Sequence, residues 1–211
     1  MAYSDALWIY LVLLFGIIIV PGMDMLFVLA NSLTGGRRAG LAATGGIMLG
    51  GVAHTIFGAT AVGVLTRLAP GVLSALVLVG ATYMAWIGVT LMRTAITVTG
   101  VDGATTRSQW VAFRQGLITC LLNPKAYLFV FAVFPQFIRP EYGPVWWQAL
   151  VLGIMTVLMQ LAIYGGLALA AGKSRDFLVA SPQTTIWIGR AAGLLFVLVA
   201  VFTAWHGVFH R

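Results

Sequence analysis

Charge and thiols are what this 211-residue sequence has least of. Five residues are acidic and twelve are Lys or Arg, so only 8% of the chain is charged, where a water-soluble domain carries about a quarter. That shortage excludes a soluble fold. A single cysteine, Cys120, excludes an internal disulfide and leaves too few thiols for a cysteine-based metal or redox centre. The formal charge of +7 comes without any dense basic cluster that would cradle a phosphate backbone, which argues against nucleic acid. What is present is oil: 61% of residues are hydrophobic and the mean hydropathy is +1.00. The composition describes one polytopic membrane domain, each span taking ~20 residues.

The apolar runs predict six spanning helices. The first, Ala6 to Leu33, follows Asp5 without the basic start of a signal peptide and is interrupted at Pro21-Gly22-Met23-Asp24. After a polar turn at Thr34 to Arg38, a Gly/Ala-rich helix covers about Gly40 to Leu65. A third covers about Val72 to Met92 beyond Arg67 and Pro70-Gly71. The polar stretch Arg93 to Gln109 divides the chain. A fourth helix, Trp110 to Phe137, is interrupted at Asn123-Pro124-Lys125; Arg139 to Pro144 form a turn, and Val145 to Ala171 make the fifth helix. Lys173 to Gln183 form the last loop before the sixth helix, Thr184 to about Trp205.

Six spans place both termini on one side. Arg37, Arg38, Arg93, Arg107, Arg114, Lys173, Arg175 and Arg190 fall on one face of the membrane, against Arg67, Arg139 and Arg211 on the other. The excess of eight over three assigns the first group to the cytoplasm and both termini to the outside. The fold class expected is therefore all-α, a single transporter domain over residues 1–211. It divides into repeat 1 (about 6–93), a linker (about 94–109) and repeat 2 (about 110–206).

The halves look like copies. Gly46-Ile47-Met48 precedes Gly58 by the same interval as Gly153-Ile154-Met155 precedes Gly165, and the first helix of each half carries a proline break. Three spans per half make the repeat inverted, and paired broken helices in such repeats point to a transport site near the midplane. A break inside hydrocarbon frees N–H and C=O groups that must be satisfied within protein or by a wet cavity. Freed N–H groups suit a carboxylate and freed carbonyls an ammonium; an amino acid carries both. The alternative for Pro21 and Pro124 is a simple packing kink.

Asp24 and Lys125 sit at the two breaks, and Asp24 is the only deep acid; Asp5, Asp102, Glu141 and Asp176 fall in termini or loops. An ionised group at the bilayer centre costs about 2.5–3.5 kcal/mol, so both should face one cavity. Asp24 is assigned to the substrate ammonium or a coupling proton, and Lys125 to neutralising it or holding the substrate carboxylate. The plainer reading is a structural ion pair. His54, deep in the second helix, suits a proton relay or ordinary packing. Gln160 and Tyr164 share a face of the fifth helix, and Tyr83 and Trp86 lie one turn apart in the third; these are lesser candidates beside Pro21, Gly22, Asn123 and Pro124. Gly46-x-x-x-Gly50 and Gly189-x-x-x-Gly193 are read as close-packing positions, Trp146 and Trp147 as interfacial anchors, and Cys120 as a small membrane residue.

Together, Val20-Pro21-Gly22-Met23-Asp24, Gly36-Arg37-Arg38-Ala39-Gly40-Leu41, Gly46 to Gly50 with His54, Gly80-Ala81-Thr82-Tyr83 with Gly88, Phe113-Arg114-Gln115-Gly116, Leu122-Asn123-Pro124-Lys125-Ala126 and Phe134-Pro135-Gln136-Phe137 resemble the LysE/RhtB family of amino-acid exporters, which includes threonine and homoserine efflux proteins. The resemblance implies an inner-membrane secondary exporter of amino acids or close derivatives, driven by the proton gradient, with no cofactor. Its partners would be the small-molecule substrate, protons, lipid and, as a candidate, a second copy in a homodimer. The family's first break reads Pro-Gly-Pro, and Met23 stands here in place of the second proline. An intramembrane enzyme is disfavoured by the lone deep carboxylate and the absence of a Gly-x-Ser-x-Gly elbow. A divalent-metal exporter is the closer rival, although Asp24, His54 and Cys120 are scattered in sequence.

Overall fold

A computed structural model describes residues 2–68, 81–82, 85–86, 88–90, 92–93, 108–170 and 182–209. Most of the expected third helix, including Tyr83, most of the central linker, and Lys173 to Ser181 of the last loop lie outside the described residues.

The described residues are all-helical, apart from the breaks and turns that join the helices. Helix α1 (Tyr3–Ile19) begins where Asp5 accepts a hydrogen bond from the Ala2 N–H at 3.1 Å. It is followed by α2 (Met23–Leu33) and α3 (Gly35–Val64), between which the chain folds back at Gly36 so that Gly40 packs on Ser32 and Asp24 faces the same cavity as His54. Then come α4 (Gln109–Leu121), capped by the Ser108 hydroxyl, and α5 (Pro124–Phe137). A 3-10 turn at Pro140–Tyr142 leads into α6 (Val145–Leu169), and α7 (Pro182–Phe209) ends the described chain. Helices α3 and α6 are long and apolar enough to cross a membrane. Each bent pair, α1 with α2 and α4 with α5, forms a further span if the two arms are taken together, giving up to four among the described residues.

Both expected breaks are present, and both bend the chain by 55°. Their local cause is the same. Proline pushes the preceding residue out of the helical region, and Val20 (ψ 122°) and Asn123 (ψ 107°) are both extended. Proline also lacks the N–H that would continue the helix. Met23 is the first residue of α2, a position whose N–H has no partner inside the helix, so a proline there and a methionine here differ by one free donor.

Two features depart from expectation. The turn expected over Thr34 to Arg38 contracts to Gly36, whose φ of +74° is a conformation that side chains with a Cβ rarely adopt. The fifth helix, expected to be regular, contains a π turn at Leu161–Gly165.

The first helix of each half packs on the second helix of the other. Helices α3 and α4 meet backbone to backbone: a methyl group at Gly46 would strike the carbonyl of Phe113, and one at Gly116 would strike that of Ala43. Gly50 lies against Cys120. On the other side α1 meets α6, where the Tyr10 hydroxyl and Thr156 are 2.8 Å apart. Thr156 gives its own hydrogen to the Leu152 carbonyl, so Tyr10 is the donor. Gly88 and Gly193 press reciprocally on each other's carbonyls. Tyr10, fully buried, packs against Phe129, Phe134 and Phe137 of α5 at the centre of the core. Large apolar side chains such as Trp8, Ile56, Leu122, Trp146 and Leu158 point outward, as a lipid-facing surface requires.

Between α5 and α6 the wholly buried Gln148 ties the turn together. Its amide donates to the carbonyls of Arg139 (2.7 Å) and Gly143 (2.6 Å), and its oxygen accepts from the Arg139 N–H (3.0 Å).

The α3–α4 contact is directly testable. Gly46→Ala should lower the thermal stability of the purified protein by the equivalent of about 1–3 kcal/mol, because backbone cannot yield as a side chain can. Gly45→Ala meets only the Phe113 ring at an ordinary 3.6 Å and should be neutral or slightly stabilising; equal effects would refute the contact.

Candidate functional site

Residues from both breaks converge on one cavity of about 60 Å³. Asp24, His54, Asn123, Lys125, Gln160 and Tyr164 line it, along with Tyr10, Cys120, Gly51 and Thr156. Helix α2 brings Asp24 in its first turn, α3 brings His54, α5 brings Lys125 behind its cap Asn123, and α6 brings Gln160 and Tyr164. Pro21 and Pro124 shape the breaks. Gly22 stands beside Lys125, where an added methyl group would lie 3.4 Å from Nζ.

Lys125 does not pair directly with Asp24. Its Nζ crosses to the first half and donates to the Val20 carbonyl at 2.8 Å, the acceptor freed where α1 ends. The only ion pair among the described residues is the exposed Arg139–Glu141 contact, at 3.5 Å. The plainer reading, a structural Asp24–Lys125 bridge, is therefore not what the geometry contains. His54 adds a cross-chain contact at the second break, where the Cys120 carbonyl already accepts from the Asn123 N–H at 3.0 Å. Its Nε2 lies 3.0 Å from the Cys120 carbonyl, near the end of α4, and its ring stands edge-on to Tyr127 at 4.3 Å. A carbonyl only accepts, so Nε2 carries the hydrogen. The Asn123 side chain accepts from the Lys125 backbone N–H at 3.0 Å, capping α5.

Half of the buried polar side chains among the described residues satisfy themselves locally, and the partly buried Thr156 does the same. Asn31, Ser32, Thr44, Thr55, Thr156 and Gln136 each donate to the carbonyl four residues earlier. Against that habit, three buried oxygens among the described residues lack a partner: Tyr3 Oη at the start of α1, Asp24 Oδ1 and Gln160 Oε1. The last two face the same cavity. The Asn123 side chain stands beside the Asp24 carboxylate and leaves Oδ1 unmet.

The π turn begins directly after Gln160 and contains Tyr164, and such turns are frequent at functional sites. Gly51 makes room for Gln160: a methyl group there would lie 2.7 Å from Oε1. The sequence reading did not single out Tyr10, Thr156 or Gly51. Tyr10 and Thr156 each look like one more polar residue on an apolar helix, and Gly51 is one of 25 glycines. Tyr83 lies outside the described residues. Among those residues no three His, Cys, Asp or Glu side chains cluster as metal ligands would.

Lys125→Met should leave the Val20 carbonyl without its partner and cost about 1–3 kcal/mol of stability, whereas Lys125→Gln keeps a donor and should lose less. Thermal unfolding of the two purified variants measures the difference, and equal losses would count against the cross-half bond.

Comparison with known proteins identifies the family. The sequence matches the LysE type translocator family over residues 15–207. It is 30% identical to an uncharacterized membrane protein of Vibrio cholerae over 85% of this chain and 86% of that one. It is 28% identical to the homoserine/homoserine lactone efflux protein of Salmonella typhimurium over 87% and 88% respectively. An uncharacterized membrane protein of Pseudomonas aeruginosa is 30% identical over 90% of each chain. No solved structure matches. With a family match that takes in both breaks and every described residue of the cavity except Tyr10 and Leu14, this chain belongs to the LysE type translocators and is a multi-pass membrane transporter rather than an enzyme.

Proposed function

We propose that the protein is a secondary active exporter of amino acids or close derivatives across the inner membrane, coupled to protons and working by alternating access around the cavity at the two breaks. The observation that carries this reading is the convergence of both broken helices on one buried cavity whose acceptors are unfilled. A lone buried acid in hydrocarbon persists where it serves a pathway. The efflux of homoserine and its lactone by a relative similar over most of its length favours amino-acid-like cargo.

The same reading takes the chain as six spans in two inverted repeats, residues about 6–93 and 110–206, joined by a linker. Support comes from the equal 55° bends, the exchange of packing partners between halves and the reciprocal Gly88–Gly193 contact, since reciprocity marks elements related by a two-fold axis. Transport past a buried site requires its walls to part on one side and then the other. The excess of positive charge in one set of loops orients both termini outward. Asp24 receives the substrate ammonium or the coupling proton, and His54 supplies a second titratable group in the same cavity. Pro21, Gly22 and Pro124 hold the breaks open for it.

Asp24→Asn keeps the side-chain shape and removes the charge. In cells loaded with amino acids, its efflux rate should fall more than ~10-fold at equal amounts of folded protein, as expected for losing a charge-assisted hydrogen bond of roughly 1.5–3 kcal/mol. Efflux at the unaltered rate would remove Asp24 from the mechanism, and efflux indifferent to an imposed pH gradient in proteoliposomes would remove the proton.

A further inference from the structure

The two unfilled oxygens in the cavity differ in kind from everything else that lines it. Asp24 Oδ1 and Gln160 Oε1 are acceptors, and both side chains are 6% exposed. They arrive from opposite halves of the chain, on α2 and α6. Lys125, the cation at the site, already spends one hydrogen on Val20 O, and the hydrogen of His54 faces Cys120 O. A buried acceptor without a donor is costly, and two of them on one small cavity call for a ligand group that carries several hydrogens. Gly51 keeps Gln160 in place, since any larger residue would crowd its amide.

We propose that Asp24 Oδ1 and Gln160 Oε1 form a two-acceptor seat for a substrate ammonium, so that the transporter selects cargo by the number of N–H bonds on its nitrogen, with Gln160 as a specificity-determining residue. The proposal rests on the export reading above and narrows it. A primary ammonium or a singly N-methylated one fills both acceptors; an N,N-dimethylated nitrogen fills one, and a trimethylated nitrogen none. The carboxylate side of the cargo does not enter this selection, which fits a site able to take an amino acid or its neutral-acyl derivative.

The test is ligand-induced thermal stabilisation of the purified full-length protein. Two N-methylation series are titrated, glycine through trimethylglycine and L-homoserine through its trimethyl derivative, with 2-aminoisobutyrate adding methyl groups on carbon as a control for bulk. The primary and monomethyl compounds should bind with comparable affinity, and 2-aminoisobutyrate should bind like glycine. The dimethyl compounds should bind about tenfold more weakly and the trimethyl compounds more weakly still, one hydrogen bond to a charged group being worth about that factor. Gln160→Leu should erase the step between monomethyl and dimethyl compounds, and Gln160→Glu, which keeps the acceptor, should restore it. Trimethyl compounds binding as tightly as primary ones, or no stabilisation by any primary ammonium, would overturn the proposal. Should Gln160→Leu not fold, the series on the unmodified protein decides alone. Graded binding without transport in proteoliposomes would sink the export reading and leave the seat standing; transport blind to N-methylation would do the reverse.

Discussion

Backbone polar groups inside a bilayer have no water to turn to, and that single constraint organises this protein. A continuous helix answers it residue by residue. A broken one cannot, because proline removes a donor and the bend strands the carbonyl behind it. At the first break the stranded carbonyl of Val20 is met by Lys125, which belongs to the second half; at the second, the carbonyl of Cys120, which already accepts from the Asn123 N–H, takes a further hydrogen bond from His54, which belongs to the first. The two breaks are therefore chemically interdependent, and the side chains that repair them also wall the cavity.

This arrangement explains why so few charges suffice. A lysine that repairs backbone is held at depth by hydrogen bonding rather than by an ion pair, so the only buried acid among the described residues can stay uncommitted. Asn31, Ser32, Thr44 and Thr55 turn back on their own helices. The packing follows the same economy: where α3 crosses α4, glycine lets backbone touch backbone, and the larger aromatic side chains gather around Tyr10 instead.

Much of this was legible in the sequence, for reasons that are physical. Proline and glycine announce breaks wherever they occur, and an acid or lysine inside an apolar run stands out because hydrocarbon tolerates so few; Pro21, Asp24, Pro124 and Lys125 were visible on those grounds. Gly46 and Gly50 showed through their spacing. The partner of Lys125 did not show, because a carbonyl acceptor is common to every residue and Val20 carries no mark of being chosen. The π turn after Gln160 was equally silent, since Leu161 to Gly165 read as ordinary helix formers in an apolar run. The Gly36 kink showed as a polar cluster, Thr34 to Arg38, but not its contraction to one residue. The ion-pair alternative for Asp24 and Lys125 failed for the same reason that hid Val20: sequence displays side-chain charges and conceals backbone needs.

The bond from Lys125 to Val20 also has a direction in time. It joins atoms 105 positions apart in the chain, so the ribosome delivers the broken first helix long before it delivers the side chain that completes it. During synthesis the amino-terminal half must enter the bilayer with an open carbonyl at its bend, and it stays unfinished until the fourth and fifth helices arrive. Assembly of the second half is the event that closes the first, and a chain cut short before residue 125 lacks the group that finishes its own opening helix.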